Sequence, residues 1–278
     1  MSSGPTTSNS MTTTTDADAH RYLDFALALA ERAGDAILPH FRQAITVDDK
    51  GGADGYDPVT VADRGAETII RAGIAKTFPA HGILGEEHGR QAGTSAYTWV
   101  IDPIDGTRSF ILGQMHWATL IALRDEARPI VGVAHQPYVG ESFVAIAGGD
   151  AEWRRGNERR VLRTRRCASV ADAVLASTSP DIFTTLATQA GFSRVRSRAR
   201  LTRFGGDCYA YCLLAMGLID IVVESSLQPY DVQALMPIVE GAGGVITTWR
   251  GERCDDGGDV VACGDPSLHA SVMKLLAG

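Results

Sequence analysis

The sequence has few of the features that mark a membrane, secreted or zinc-binding protein. Its most apolar window, Cys208 to Val223, is interrupted by Gly217 and Asp220, which excludes a membrane-spanning helix. Its first residues have neither the apolar core nor the basic region of a secretion signal. The five cysteines include no Cys-x-x-Cys pair, which excludes the common zinc and dithiol motifs. We therefore predict a cytoplasmic protein with no membrane partner, whose cysteines stay reduced.

Positive charge is also scarce. Lysine and arginine number 26 against 33 aspartates and glutamates, which gives a formal net charge of −7. A general nucleic-acid binder carries the opposite balance. Arginines do cluster in two places, at Asp150 to Arg166 and at Arg194 to Arg203, where they alternate as in a strand. Neither cluster has the regular interleaving of aromatic residues that binds single strands. We predict no nucleic-acid partner, and we interpret the first cluster as a surface hairpin or the seam between two halves of the chain.

Hydrophobic periodicity divides the chain into three parts. Residues 1–19 are rich in serine and threonine and are predicted to be a disordered tail. Residues 20–148 form an N-terminal α+β half, in which two helices precede strands joined by short turns, a pattern typical of antiparallel pairing. Residues 149–278 alternate strands with helices, including a helix predicted from Asp231 to Gly241, and this alternation predicts a sheet covered by helices on both faces.

Acidic residues recur where predicted strands end or predicted helices begin. All of them are oxygen donors, and a ligand set made only of oxygens favours magnesium or manganese over zinc. Pro103 stiffens the chain here, so the Ile104 carbonyl can add a neutral ligand. The acidic residues are Asp63, Glu86, Glu87, Asp102, Asp105 and Asp231.

Two of these acidic positions also fit purely structural roles. The segment from Asp102 to Gly106 has the composition of a turn, and Asp63, three residues after Thr60, fits a helix cap. A helix that begins near Thr107 would, however, present free N–H groups to an anion beside the metal ligands. Cations next to an anion site are typical of metal-assisted phosphate ester hydrolysis.

Four motifs, in this order, resemble the inositol monophosphatase family of magnesium-dependent, lithium-sensitive phosphatases. The resemblance implies an α+β fold, a layered αβαβα sandwich of the inositol monophosphatase or sugar phosphatase type. It also implies a homodimer that hydrolyses a small phosphate monoester with two or three Mg²⁺ ions per site, for which Mn²⁺ can substitute. The motifs are Asp57-Pro-Val-Thr-Val-Ala-Asp63, Gly85-Glu-Glu87, Asp102-Pro-Ile-Asp-Gly-Thr107 and Tyr230-Asp231.

The same resemblance assigns roles to individual residues. Asp63 and Thr107 would orient and deprotonate the attacking water, with Glu86 as a further catalytic residue, so the functional interpretation of Asp63 is favoured over the cap. The N-terminal half would hold most of the metal ligands, and the C-terminal half the substrate contacts and the last ligand. The implied ligands are Glu86, Asp102, the Ile104 carbonyl, Asp105 and Asp231.

Within the family, three segments resemble the histidinol-phosphatase branch: Thr107 to Phe110, Arg203 to Tyr211 and Gln228 to Asp231. Acids at Asp207 and Glu224 favour a cationic substrate, such as the ammonium and imidazole of L-histidinol phosphate. The implied substrate contacts are Gly106, Thr107, Arg203, Asp207, Glu224 and Asp231.

Three alternatives remain open at this point. Asp207 follows Gly205-Gly206 and could simply cap a helix. An inositol-1-monophosphatase or another sugar monophosphatase is the alternative function. A metal-binding scaffold without catalysis is disfavoured because Asp63 and Thr107 are both present.

Overall fold

A computed structural model describes residues 15–50 and 58–278. The strands form a two-stranded ribbon, a mixed sheet of eight strands and a sheet of five strands. The ribbon comprises β1 (Val47–Asp49) and β2 (Pro58–Thr60). The large sheet comprises β3 (Gly82–Gly85), β4 (Gly89–Gln91), β5 (Thr98–Asp105), β6 (Ala118–Arg124), β7 (Pro129–Gln136), β8 (Glu141–Ile146), β9 (Glu152–Arg155) and β10 (Glu158–Val161). The small sheet comprises β11 (Val174–Ser177), β12 (Leu201–Phe204), β13 (Ile221–Leu227), β14 (Val245–Thr248) and β15 (Gly258–Cys263).

Strand order shows how the two sheets differ. The large sheet runs β10-β9-β8-β7-β6-β5-β3-β4, and β5 to β10 form an antiparallel meander, as the short turns predict. The small sheet runs β12-β11-β13-β15-β14 and is parallel at β12-β11-β13. The helices are α1 (Asp16–Ile37), α2 (Val61–Thr77), α3 (Thr107–Ile111), α4 (Leu186–Arg196), α5 (Asp207–Ala215), α6 (Pro229–Val232), α7 (Leu235–Gly241) and α8 (Pro266–Ala277).

The helices and the two larger sheets form five layers, helix–sheet–helix–sheet–helix, which three apolar clusters hold together. The first joins α1 and α2 to the outer face of the large sheet, with Leu29, Ile70 and Trp99 fully or almost fully buried. The second places α5, α6 and α7 between the two sheets. The third packs α4 and α8 on the outer face of the small sheet. The predicted αβαβα sandwich is therefore confirmed. No helix among the described residues has the length and apolar character needed to span a bilayer.

The N-terminal boundary differs from the predicted one. Helix α1 begins at Asp16, because the Thr15 hydroxyl accepts a hydrogen bond from the Asp18 N–H and caps the first turn. Four residues of the predicted tail are thus helical. Residues 1–14 lie outside the described residues, and so does Asp57 of the first motif.

The predicted helix from Asp231 to Gly241 is interrupted. It forms two short helices, α6 and α7, with a break between Val232 and Leu235. Pro237 lacks the N–H that would continue the first helix, but it is accommodated in the first turn of the second. The break leaves Asp231 near the end of a one-turn helix rather than at the start of a long one.

The two arginine clusters have different structures. The first lies largely in the β9–β10 hairpin at the edge of the large sheet, as predicted. The second is not a single strand, because Arg194 and Arg196 end α4 and only Arg203 lies in β12.

Candidate active site

A β-bulge in β5 places both aspartates of the Asp-Pro-Ile-Asp motif on one face of the large sheet. Asp102 pairs with Leu120 and Asp105 pairs with Ala118, so β5 has one residue more than β6 over this stretch. Without the extra residue, side chains three positions apart would point to opposite faces. Leu120 and Ala118 both belong to the cluster between the sheets, and both aspartates therefore face the central layer.

The bulge corrects the turn interpretation of this motif. Strand β5 continues through Asp105 instead of ending near Asp102. The backbone groups that the bulge displaces find partners nearby, since the Thr119 hydroxyl donates to the Pro103 carbonyl at 2.8 Å and the Ile104 N–H donates to Asp102 Oδ1 at 3.0 Å. The motif is a strand end shaped to present two carboxylates.

Asp231 joins these two aspartates from helix α6. One ligand oxygen from each of Asp102, Asp105 and Asp231 lies within 4.8 Å of the others. Asp231 is held by the Gln228 N–H, which donates to its Oδ2 at 2.7 Å, and Asp105 by the Cys208 N–H at 2.9 Å. We call these three residues the acidic cluster.

Burial and mutual repulsion make it unfavourable for all three carboxylates of the acidic cluster to be ionised without added positive charge. Burial raises the pKa of Asp102 well above its usual range, and the neighbouring carboxylates of Glu86, Asp105 and Asp231 add to the shift. Burial also raises the pKa of Asp105 to about 7. A divalent cation held by three carboxylates would remove this repulsion, and the all-oxygen donor set fits a hard ion such as magnesium. The Ile104 carbonyl, the predicted neutral ligand, accepts a hydrogen bond from Thr107.

Glu86 lies beside the acidic cluster but is paired with a lysine. Lys50 Nζ lies 3.0 Å from Glu86 Oε1 and 2.8 Å from Glu87 Oε1. Burial raises the pKa of Glu86, and the ammonium of Lys50 opposes that shift. The ammonium group of Lys50 thus bridges the two glutamates in this structure. Sequence analysis missed Lys50, whose polar loop showed no periodicity.

Asp63 and Thr107 meet between α2 and α3. Thr107 Oγ1 lies 3.4 Å from Asp63 Oδ1 and 3.0 Å from the Ile104 carbonyl oxygen. Asp63 is fully buried, and its second oxygen accepts hydrogen bonds from the Thr60 N–H at 2.8 Å and the Thr60 hydroxyl at 2.5 Å. The cap interpretation, which the sequence analysis set aside, is therefore also correct: one carboxylate oxygen caps α2 and the other faces Thr107.

Gly106 is required by the sharp approach of the chain to α3. Its φ of 89° lies in the left-handed region, and a Cβ at this position would lie 2.6 Å from the His116 carbonyl oxygen. Helix α3 begins at Thr107, as predicted, but it has only five residues. Its macrodipole is correspondingly small.

Asp207 does not cap helix α5. Gly206 is the N-cap residue, and Asp207 has a φ of 42°, a left-handed conformation that costs a non-glycine residue about 1–2 kcal/mol. Its carboxylate instead accepts a hydrogen bond from the Ser109 hydroxyl at 2.6 Å. The strained backbone therefore turns the carboxylate towards α3, beside the acidic cluster.

Glu224 faces the same region from β13. It is 2% exposed, and its Oε1 accepts hydrogen bonds from the Thr178 N–H at 2.8 Å and the Thr178 hydroxyl at 3.1 Å. Burial raises the pKa of Glu224, and the nearby carboxylates of Asp207 and Asp105 raise it further. Among the described residues, neither Asp207 nor Glu224 forms an ion pair.

Arg203, another predicted substrate contact, lies in strand β12. It is exposed on β12, at the edge of the small sheet, where it pairs with Ala176. Within residues 15–50 and 58–278 it forms no ion pair with the site carboxylates.

Three further polar residues support the site and were not found from the sequence. Ser109 and Thr178 are common residue types in weakly patterned segments, so the sequence did not indicate a role for them. Glu67 could have been found, because it lies at helical spacing from Asp63, Ile70 and Ile74, on the buried face of α2. A carboxylate in an apolar stripe needs buried partners.

Comparison with known proteins identifies the class to which this fold and acidic cluster belong. The family model described as the inositol monophosphatase family matches residues 18–277. A histidinol-phosphatase of Chlorobaculum parvum is 36% identical over 255 residues, which cover 91% of this chain and 96% of that protein. The chloroplastic bifunctional phosphatase IMPL2 of Arabidopsis thaliana is 39% identical over 272 residues, covering 94% of this chain and 76% of that protein.

A solved structure gives the same result. The chain is similar to an inositol monophosphatase from Zymomonas mobilis with a TM-score of 0.82 and 39% identity, covering 92% of this chain and 98% of that one. The protein therefore belongs to the inositol monophosphatase family of phosphatases.

Proposed function

We propose that this protein is a magnesium-dependent phosphatase that hydrolyses L-histidinol phosphate to L-histidinol and phosphate. The observation that carries the choice of substrate is the pair of carboxylates, Asp207 and Glu224, next to the acidic cluster. The histidinol-phosphatase of C. parvum supports the same choice.

Thr107 and Asp63 supply the proton path for the attacking water. When the Thr107 hydroxyl donates to Asp63 Oδ1, its oxygen is left with lone pairs that can accept a hydrogen bond from a water molecule. As the water oxygen bonds to phosphorus and the ester P–O bond breaks, the water proton passes to Thr107 while the hydroxyl proton passes to Asp63. The departing alcohol oxygen takes up a proton from solvent.

The acidic cluster would hold the cation that this reaction needs. Asp102, Asp105 and Asp231 offer converging oxygens, and Glu86 and the Ile104 carbonyl stand beside them. When bound, magnesium would supply positive charge that offsets the carboxylate repulsion and polarises the phosphate group. Asp105 and Asp231 are pre-oriented for this by the backbone N–H groups of Cys208 and Gln228.

Asp207 and Glu224 select the alcohol part of the substrate. Burying two carboxylates is costly: burial raises the pKa of both, and at Asp207 the nearby Arg108 and His116 offset that rise only in part. A ligand that brings a cation therefore gains free energy that a neutral polyol does not. Histidinol carries an ammonium group and an imidazole that can be protonated. Ser109 and Thr178 fix the two carboxylates in place before the ligand arrives.

Phosphate release from histidinol phosphate and from inositol 1-phosphate, measured side by side in magnesium, tests this proposal. We expect a higher kcat/KM on histidinol phosphate, loss of activity in chelator, and recovery with Mg²⁺ or Mn²⁺. A higher kcat/KM on inositol 1-phosphate would instead support the inositol or sugar phosphatase alternative, which the similarity to the Z. mobilis protein also favours. Metal binding without hydrolysis of either ester would leave a non-catalytic scaffold.

A further inference from the structure

Helix α2 carries a second buried carboxylate, one turn after Asp63. Glu67 is fully buried, and its side chain lies where α2 meets the end of β3. A buried carboxylate is tolerated only when hydrogen-bond donors surround it. The identity of those donors shows what Glu67 holds in place.

Two of the donors are backbone N–H groups of the segment that carries the site glutamates. The Glu87 N–H donates to Glu67 Oε2 at 2.7 Å, and the His88 N–H donates to Glu67 Oε1 at 3.2 Å. The preceding Glu86 N–H donates to the Ile101 carbonyl of β5 at 3.2 Å. Three consecutive N–H groups are thus fixed, two of them by Glu67.

Arg71 completes this arrangement one turn further along α2. Its Nε donates to Glu67 Oε1 at 2.6 Å, and its terminal nitrogen donates to the Gly89 carbonyl. Glu67 and Arg71 therefore hold the backbone from Glu87 to Gly89 at three points. We call this the α2 clamp.

Gly85 makes the close approach possible. A Cβ on this residue would lie 2.1 Å from Glu67 Oε1 and 2.9 Å from an Arg71 terminal nitrogen. Any larger side chain here would push the clamp away from the strand end. The glycine of the Gly85-Glu86-Glu87 motif is thus explained by the space that the Glu67 carboxylate occupies.

We propose that Glu67 is a positioning residue for the metal site: by fixing the backbone after β3, it directs the Glu86 carboxylate towards Asp102. This inference rests on the proposed function, since it assumes that Glu86 and the acidic cluster share a metal ion. Hydrogen bonds that orient metal ligands typically change metal affinity by about 10- to 100-fold when removed. Helix α2 would then align two parts of the site at once, with Asp63 at Thr107 and Glu67 at Glu86.

The variant Glu67→Gln tests this role. It keeps the size of the side chain but replaces one acceptor oxygen with a donor that faces other donors. The matched control is Asp220→Asn. The Asp220 side chain is 1% exposed, and like Glu67 it accepts hydrogen bonds from an arginine (Arg165) and from a backbone N–H (that of Val174). Asp220 lies outside the site, so the control reports the general cost of disturbing a buried acid.

The measurement is titration calorimetry of Mg²⁺ into the metal-free full-length protein, with melting temperatures recorded alongside. We expect both variants to melt at lower temperature than the wild type. Only Glu67→Gln should raise the Kd for Mg²⁺, by about 10- to 100-fold, and its kcat should recover substantially at saturating Mg²⁺. An unchanged Kd in Glu67→Gln, or an equal increase in Asp220→Asn, would overturn the inference.

A second variant keeps the inference testable if Glu67→Gln does not fold. Arg71→Lys leaves the Glu67 carboxylate and its two backbone partners in place but removes the forked guanidinium that also reaches Gly89. We expect a smaller rise in the Kd for Mg²⁺, and a wild-type Kd would overturn the inference. If the wild type binds Mg²⁺ but hydrolyses no ester, the proposed function fails and the Kd comparison still decides the role of Glu67. No Mg²⁺ binding by the wild type would overturn both.

Discussion

The choice of a cationic substrate can be tested through Glu224, which is nearly inaccessible to solvent and held at one oxygen. Its Oε1 accepts both hydrogen bonds from Thr178. In Glu224→Gln the amide carbonyl can keep these two bonds, which directs the new NH₂ group to the position of Oε2. The variant therefore removes the negative charge while retaining the contacts that anchor the side chain.

The expected loss follows from the strength of one charge-assisted hydrogen bond. Such a bond contributes about 1.5–3 kcal/mol, and leaving its buried partner unpaired costs a similar amount. At about 1.4 kcal/mol per tenfold change, kcat/KM on histidinol phosphate should fall by about 10- to 150-fold. Glycerol phosphate, which offers no cation, should lose little. Asp207→Asn should show the same selectivity.

The assay compares kcat/KM for the two esters at saturating magnesium, with the melting temperature as a control for folding. Equal losses on both esters would mean that Glu224 serves catalysis or folding, and the histidinol assignment would lose its main physical support. An unchanged kcat/KM on both esters would favour a polyol or sugar phosphate as substrate.

Three other perturbations probe the remaining parts of the site and the core. Asp105→Asn and Asp231→Asn should each weaken Mg²⁺ binding in calorimetry while leaving the melting temperature of the metal-free protein unchanged or higher, because each removes charge from a repulsive cluster; wild-type affinity would exclude them as ligands. Thr107→Ala should lower kcat by about 10²- to 10⁴-fold with little change in metal affinity, whereas normal turnover would remove Thr107 from the proton path. Burial lowers the pKa of His135 to about 4, so the free energy of unfolding should decrease as the pH falls from 6.5 to 4. The unfolded state binds the proton first in this window, so up to about 3 kcal/mol is lost, and thermal melts of His135→Gln should show a flatter pH dependence than the wild type.

The layered αβαβα arrangement was implied by the resemblance to the family, whereas several of its helices and strands leave a periodic signal of their own in the sequence. The apolar spacing along α1 and α2 and the short turns from β6 to β8 depend on residues close together in the chain. The broken helix at Val232 was missed because Pro237 is compatible with a helix at its start and incompatible in its middle. Where the helix starts depends on packing between the two sheets.

The bulge in β5 was beyond sequence reasoning for a different reason. The segment from Asp102 to Gly106 has the composition of a turn, and only its pairing with β6 shows that the strand continues with one extra residue. That pairing is a tertiary contact. The motif correctly indicated two converging carboxylates, but not how the backbone brings them to one face.

The two capping alternatives had opposite outcomes, and both follow from local geometry. For Asp207 the cap interpretation is wrong, because the backbone has a left-handed conformation and the carboxylate binds Ser109 across the site. For Asp63 the cap and the proposed catalytic role coexist, since a carboxylate has two oxygens and each faces a different partner. A sequence motif records only which groups are present. Thr107→Ala is consequently a cleaner test of the proton path than Asp63→Asn, because it leaves the cap of α2, and with it the placement of Glu67, undisturbed.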